Sequence, residues 1–306
     1  MTRRGWLLFG VMCLIWGIPY LLIKVAVRDL APADLVFGRT IIGTVLLLPI
    51  ALSRGQIRPL VARWRPLVLY SLVEIAIAWF LLSDAETHIS SSLSGLLVTA
   101  VPLVGVLIVR LRGAQERLTS TRLVGLLMGI AGVGAVLGFD LGHITLLSMV
   151  EMAVVVCCYA LGPQILAHRL ADLPSLGVVS GSLAICAVIF APAAILERPA
   201  HLPSTSVIGA VLALGVICTA IAFLVFFALI AEVGPVRATV ITYVNPAVAV
   251  ALGVTLLHEP FTVGIGLGFA LVLGGSVLAT RPGSPSSSRP TVAAEPIGPE
   301  LPVAEP

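Results

Sequence analysis

Long runs of apolar residues, separated by short polar connections, fill most of the chain. The runs do not alternate between apolar and polar positions, so they are typical of helices rather than of half-buried strands. Most of them reach the roughly 20 residues that a helix needs to cross a hydrocarbon core of about 30 Å. The pattern predicts ten membrane-spanning helices, at residues 5–27, 34–53, 65–83, 90–110, 121–139, 144–167, 174–196, 206–230, 236–257 and 262–280.

The composition also indicates an all-α membrane protein. Hydrophobic residues make up 58 % of the chain and charged residues only 11 %, whereas a soluble domain has about 25 % charged residues. Such a low charged fraction cannot cover a water-exposed surface, so the excess apolar surface is expected to face lipid. The first run follows Arg3 and Arg4 but continues past Trp16 without a small-residue cleavage site, which predicts a retained helix rather than a signal peptide.

The basic residues predict the orientation of the spans, because Lys and Arg concentrate in cytoplasmic connections. With ten spans and an internal N-terminus, fourteen arginines fall on the inner side, and only Arg28 and Arg198 fall in outer connections. Both termini are therefore expected in the cytoplasm, in a multi-pass protein of the plasma membrane. Residues 281–306 hold seven prolines among Ser, Ala and Glu, which predicts a disordered cytoplasmic tail.

The two halves of the membrane region match each other at an offset of 143 or 144 residues. The matches are Trp16 with Tyr159, Asp29-Leu30 with Asp172-Leu173, Pro49 with Pro192, Ala76–Trp79 with Ala220–Phe223, Pro102 with Pro246, Glu116 with Glu259, Gly125 with Gly268, and Gly132 with Gly275. They predict two repeats of five helices (5+5), at residues 1–140 and 141–280. Since five is an odd number, the second repeat must be inverted relative to the first, as in many secondary transporters.

The same residues resemble the EamA-type permeases of the drug/metabolite transporter superfamily. The first span reads Trp16-Gly17-Ile18-Pro19-Tyr20-Leu21-Leu22-Ile23-Lys24, and Pro32 is followed by Arg39. In the second half, Thr219–Phe223 leads through Gly234–Ala238 to Asn245-Pro246 and then Glu259–Thr262, closing with Gly268 and Gly274-Gly275. The resemblance covers about residues 5–280. It implies a ten-helix transporter that exports small metabolites, amino acids or drug-like compounds.

Four ionisable residues lie inside or near the ends of predicted spans, where each costs roughly 2.5–3.5 kcal/mol at mid-helix on insertion scales. Glu74 is central and could bind a cationic group or a coupled proton, or could instead pair permanently with Arg39 or Lys24. Arg39 could hold a carboxylate or phosphate with its planar guanidinium, or could anchor helices. Lys24 lies nearer the outer edge and could reach it, and Glu151 fits a vestibule, gate or binding position.

Aromatic and amide side chains near the matched positions could stack on or hydrogen-bond a small solute, although such residues also form cores and interfacial belts. These candidates are Trp16, Tyr20, Trp79, Tyr159, Phe223, Tyr243 and Asn245. Pro102 and Pro246 interrupt the fourth and ninth predicted spans and are expected to bend them. Glycines at helical spacing, such as Gly125, Gly129 and Gly132, favour close helix packing within the chain, with a homodimer as the alternative.

Other classes of function have little support in the sequence. The five cysteines lie in apolar runs without ligand spacing, so no metal or cofactor is expected. There is no H-E-x-x-H, G-x-S-x-G or G-x-x-x-x-G-K-[ST] motif, which argues against an enzyme or an ATP-driven pump, and nothing points to nucleic acid. The prediction is a secondary transporter in the lipid bilayer, working by alternating access, with proton coupling and facilitated exchange both open. The alternative is a scaffold or sensor subunit whose buried charges form structural ion pairs.

Overall fold

The structure is a computed structural model that describes residues 1–111, 120–140, 145–196, 202–234, 238 and 240–280. These residues form helices and connections, with no strand among them. We number the helices that correspond to the predicted spans. They are α1 (Arg3–Ala26), α2 (Pro32–Ser53), α3 (Trp64–His88), α4 (Ser91–Ile108), α5 (Ser120–Asp140), α6 (Leu146–Arg169), α7 (Ser175–Leu196), α8 (Thr205–Val233), α9 (Ile241–Leu256) and α10 (Val263–Thr280).

Seven of these helices are long and apolar enough to cross a membrane, namely α1–α4 and α6–α8. Within the described residues, the remaining predicted spans correspond to shorter apolar segments, Leu123–Ala135, Ile241–Leu256 and Val263–Leu278. Large apolar side chains such as Ile130 and Val188 are 69 % and 73 % exposed. Apolar surface exposed along a long apolar helix fits contact with lipid tails. The helical membrane architecture is thus confirmed, while the count of ten spans stays a prediction, and the predicted tail lies outside the described residues.

The two halves share local structure at equivalent positions. Thr2 caps α1 by accepting a hydrogen bond from Gly5 N, and Thr145, 143 residues later, caps α6 by accepting one from Ser148 N. Both α3 and α8 contain a π-helical stretch, at Ser71–Ile77 and Val216–Ile221. A π turn bonds residues five apart and is often found at functional sites. These features repeat with the spacing that the sequence matches predicted.

Helix packing follows the same correspondence. Helices at equivalent positions pack on each other, as α2 packs on α7, α4 on α9 and α5 on α10, and the contacts between non-equivalent helices of the two halves include α1 with α8 and α3 with α6. The α5–α10 contact depends on small residues, because a Cβ atom at Gly275 would lie 2.5 Å from the Gly125 carbonyl oxygen and 2.6 Å from Gly129 N. These glycines therefore serve packing within the chain.

Polar contacts connect helix ends on each side of the fold. In each contact, the two connected segments are predicted to lie on the same face of the membrane. On the predicted inner face, Arg63 forms an ion pair with Asp172 at 3.2 Å, and Arg63 Nη1 donates to the carbonyl oxygen of Arg169. On the predicted outer face, Asp29 Oδ2 accepts a hydrogen bond of 2.8 Å from Ser204 N at the start of α8. Asp29 and Asp172 are matched positions, so the two halves use equivalent carboxylates in connections that the ten-span topology predicts on opposite faces.

Candidate functional site

Arg39 lies at a junction of three helices from both halves. Its guanidinium carbon is 3.5 Å from the centre of the Trp79 ring of α3, and its Nε donates to Thr219 Oγ1 of α8 at 2.9 Å. The residue is only 8 % exposed. Gly43, one turn further along α2, allows this approach because a Cβ there would lie 3.0 Å from the Thr219 methyl carbon. A buried arginine stacked on an aromatic ring is held with its planar face fixed.

Thr219 fixes the orientation of the guanidinium. Thr219 lies in the π-helical stretch of α8, and its hydroxyl donates to the carbonyl oxygen of Leu214, five residues earlier, at 2.8 Å and accepts the bond from Arg39. Among the described residues, the two Nη groups of Arg39 have no hydrogen-bond acceptor and no carboxylate at ion-pair distance. The site therefore contains a positioned cation whose outward-facing donors can bind a carboxylate or phosphate group.

Glu74 lies in the other π-helical stretch, that of α3, and faces α6. Gly162 of α6 makes room for it, since any Cβ at that position would collide with the Glu74 carboxylate. Glu74 Oε2 is buried and has no hydrogen-bond partner, and within the described part of the chain no ion pair joins Glu74 to Arg39 or Lys24. The permanent ion pair that the sequence left open as a structural role is not found.

The predicted aromatic residues divide between the central site and helix packing. Tyr20 and Tyr159 lie in the apolar cluster that joins α1, α3, α4, α6 and α8, and Tyr159 also contacts the cluster around Trp79. Trp16 packs against Phe223 and Phe226 of α8, with ring centres 6.1 and 4.7 Å apart. Tyr20 and Tyr159 are thus placed beside the Arg39 site. Phe223 packs against the cluster around Trp79 and also joins Trp16 in an α1–α8 contact.

The remaining predicted residues lie away from Arg39. In the orientation that satisfies its amide, Asn245 of α9 donates to the carbonyl oxygens of Cys13 and Ile241, at 3.2 and 3.0 Å, and so connects α9 to α1. Tyr243, two residues earlier, is half-buried. A turn at residues 99–100 divides α4 just before Pro102, while α9 continues as helix through Pro246.

Glu151 and Lys24 lie toward the predicted outer face. Glu151 is 5 % exposed, and its carboxyl group lies at hydrogen-bond distance from that of Asp84 on α3. Lys24 is half-buried. Its ammonium group donates to the carbonyl oxygens of Glu86 and Ile89 at the end of α3, at 2.5 and 2.8 Å.

A protein-family model described as the EamA-like transporter family matches the chain twice, at residues 3–138 and 146–281. The chain belongs to the EamA-like transporter family. The resemblance seen in the sequence is confirmed, and the two matched ranges show that the membrane region of this EamA-like protein contains two copies of the family unit.

Individual relatives agree with this assignment. The EamA-like chain is 25 % identical over 277 residues to "Uncharacterized transporter YvbV" of Bacillus subtilis (strain 168), covering 89 % of this chain and 90 % of the relative. It also resembles a solved crystal structure with a TM-score of 0.65 and 24 % identity, covering 92 % of this chain and 97 % of the other. That likeness supports the fold alone.

Three polar residues of the EamA-like site escaped the sequence reasoning as site residues. At the sequence level, Thr219 appears only in the family resemblance, Glu259 appears only in the repeat match and the resemblance, and Glu86 falls in the connection after the predicted third span. Glu86 is fully buried with neither carboxylate oxygen bonded to a described residue. A third span predicted to continue past residue 83 would include Glu86 as an ionisable residue within a helix.

Proposed function

We propose that this EamA-like protein is a secondary transporter of the plasma membrane that exports small metabolites, amino acids or drug-like compounds by alternating access. The observation that carries the proposal is the position of Arg39. It lies buried between helices of both repeats, and its Nη donors have no acceptor among the described residues. A scaffold would satisfy such a group internally, whereas a transporter keeps it for the solute.

Alternating access is supported by the paired architecture. Two units of similar sequence, each with an odd number of spans, can build two similar packings of opposite orientation. The pairing of equivalent helices, α2 with α7, α4 with α9 and α5 with α10, fits two units related by a pseudo-two-fold axis. The contacts Asp29–Ser204 and Arg63–Asp172 also join segments that the ten-span topology assigns to the same face. Exchanging the conformations of the two units would convert an inward-open state into an outward-open one.

Glu74 is the candidate for proton coupling. Its carboxyl group lies within the π-helical stretch of α3, beside α6, with one oxygen buried and unbonded. The free energy of this region of the protein differs between the charged and the neutral form of the Glu74 carboxyl group. Transport and proton movement can be linked if this group is reached alternately from the two sides.

Transport by purified protein in liposomes is the direct test. A metabolite library is screened first by thermal shift, and solutes that stabilise the protein are then followed for uptake and efflux without ATP, with and without a pH gradient. Solute movement is expected in the wild type and loss of movement in Arg39→Ala, with liposomes lacking protein as the control. A folded wild-type protein that binds and moves no solute of the library would contradict the proposal.

A further inference from the structure

The corner between α3 and α4 is held by a lysine from α1. Only residues 89 and 90 separate the two helices. Lys24 Nζ donates to the carbonyl oxygens of Glu86 and Ile89, which belong to the last turn of α3 and the residue after it. The final carbonyls of a helix have no partner within the helix and carry its partial negative charge. Lys24 therefore satisfies the end of α3 from a neighbouring helix.

A glutamate from the second repeat holds the other side of the same corner. Glu259 Oε1 accepts a hydrogen bond from Ser91 N at 2.7 Å, and Oε2 accepts bonds from Ser92 N and Ser92 Oγ at 2.9 and 2.5 Å. A carboxylate at the first amides of a helix is in a favourable place for its charge. The start of α4 is thus capped by a residue about 170 positions away in the chain.

The backbone before Glu259 is shaped to present it. His258 has a φ of 56°, the one positive φ at a residue other than glycine in the described chain, and such a conformation is uncommon for that residue type. Glu259 N donates to the carbonyl oxygen of Gly253 at 3.1 Å, which ends α9 in a tight turn. Gly253 has no Cβ to collide with Glu259 Oε2 and Ser92 Oγ. Strained backbone of this kind is kept where its geometry serves the protein.

Glu86 lies inside the corner beside Ser94, whose hydroxyl donates to the carbonyl oxygen of Ser90. It is 0 % exposed, and both of its carboxylate oxygens are buried with no partner among the described residues. Lys24 contacts its main-chain carbonyl instead. A buried polar group without a hydrogen-bond partner gains free energy when it is hydrated, so the closed corner contains a group that favours its opening.

The corner adjoins residues beside the central site, because Tyr20, Ile89 and Leu93 belong to one buried cluster. Tyr20 lies one turn before Lys24 on α1, and its ring packs against Gly95 of α4, where a Cβ would lie 3.7 Å from Tyr20 Cδ2. In the predicted topology, Lys24 and Glu259 are farther toward the outer face than Tyr20. Their contacts with the corner are hydrogen bonds to backbone groups and to the Ser92 hydroxyl, which water can replace when the helices separate.

We propose that Lys24 and Glu259 form the outer gate of the transport path, closing the α3–α4 corner over the central site, and that Glu86 is the buried group hydrated when this gate opens. The inference rests on the proposed transport function. It adds the residues that close one end of the path. Lys24 and Glu259 come from different repeats, so relative movement of the repeats would break their hydrogen bonds to the corner.

The test measures access from the outer face to a cysteine placed under the corner. The five native cysteines are replaced, Leu93→Cys is introduced in the buried cluster that contains Tyr20, and protein in oriented liposomes is labelled with a membrane-impermeant thiol reagent. Lys24→Met and Glu259→Gln are each expected to raise the labelling rate about tenfold, the population shift that corresponds to about 1.4 kcal/mol. Glu86→Leu is expected to lower the rate, because it removes the buried polar group that water would hydrate.

Asp29→Asn is the matched control. Asp29 is also an outer-face carboxylate bound to a backbone amide at a helix start, but it lies outside the corner. Its removal should leave the labelling of Leu93→Cys unchanged. An equal rise in the control would show general loosening of the outer face and would overturn the gate.

Two further comparisons complete the test of the gate. If Glu259→Gln does not fold, Lys24→Met and Lys24→Arg are compared, and labelling must rise more in Lys24→Met, which has no donor. Unchanged labelling in folded Lys24→Met and Glu259→Gln overturns the inference. Because labelling does not require solute movement, increased labelling in a protein that transports nothing would retain the gate and remove the transport proposal.

Discussion

Replacing Glu74 by glutamine separates a functional buried carboxyl group from a structural one. The substitution keeps the shape of the side chain and removes its ability to carry charge. In the structure, Glu74 Oε2 is buried without a hydrogen bond, and no basic residue of the described chain forms an ion pair with the carboxylate. Glu74→Gln therefore breaks no ion pair, and only the coupling of transport should be lost.

The size and sign of the stability change distinguish the two roles. Removing one partner of a buried ion pair typically costs about 3–5 kcal/mol because the other charge is left unpaired. Without such a pair, Glu74→Gln removes a desolvation penalty and should leave the unfolding free energy within about 1 kcal/mol of the wild type, or raise it. With roughly 2 °C per kcal/mol for a chain above 150 residues, a structural pair predicts a fall of about 6–10 °C, and the present structure predicts none.

The assay is thermal unfolding of purified protein together with proton-driven transport in liposomes. Glu259→Gln is the matched control, because the same substitution there loses charge-assisted bonds to Ser91 and Ser92 and should cost about 1–3 kcal/mol. We expect Glu74→Gln to unfold at the wild-type temperature or above, and its transport to lose its response to a pH gradient. A fall in unfolding temperature beyond that of the control, with transport still coupled to the gradient, would refute this account of Glu74.

Other substitutions probe the packing of α6 and the contacts at the two faces. Gly162→Ala should reduce both unfolding temperature and transport, because its Cβ collides with the Glu74 carboxylate; wild-type behaviour in both assays would show that the two helices are farther apart. The N–H of Ser204 holds the pKa of Asp29 below its ordinary value, so this contact stabilises the fold at and above the ordinary aspartate range and is lost as pH falls through the depressed pKa. The difference in unfolding temperature between wild type and Asp29→Asn should accordingly persist at neutral pH and vanish in acid, and a difference confined to acid would contradict that sign. Asp172→Asn should cost less than about 1 kcal/mol and less still in high salt, since the Asp172 and Arg63 side chains are 60 % and 48 % exposed; a larger loss in denaturant unfolding would mean that this ion pair is coupled to other contacts.

Helix positions were predictable where hydropathy and helix-start signals agree. The second span was predicted at 34–53 and is Pro32–Ser53, and the seventh was predicted at 174–196 and is Ser175–Leu196. Proline in the first turn and a long apolar run determine such helices almost locally. The third span was predicted to end at residue 83 but continues to His88, because Lys24 satisfies its last carbonyls. A terminus stabilised by a distant side chain leaves no local signal in hydropathy.

Part of the central site was predictable, because hydropathy also identifies charged residues that lie inside apolar spans. Arg39 and Glu74 were identified because ionisable residues inside apolar spans are costly and therefore informative. The partner of Arg39 is Thr219, 180 residues away, and its hydroxyl is ordinary in a sequence until the packing of α8 on α2 is known. Neither π-helical stretch could be foreseen, since apolar residues at those positions are equally compatible with a regular α-helix.

The two halves are similar in their helical scaffold but differ in the polar and aromatic residues of the site. At the offsets that align the two halves, Arg39 corresponds to Ser182, Glu74 to Cys218 and Trp79 to Phe223. Both candidate charges thus belong to the first unit, and the second supplies the hydroxyl that orients one of them. Similar scaffolds can exchange conformations at little cost in free energy, while charged groups confined to one unit would give a transported solute a single defined orientation under the proposed function. Introducing Ser182→Arg should accordingly disrupt binding rather than create a second site, because the equivalents of Trp79 and Thr219 are Phe223 and Ile75, and Ile75 has no hydroxyl to orient a second guanidinium.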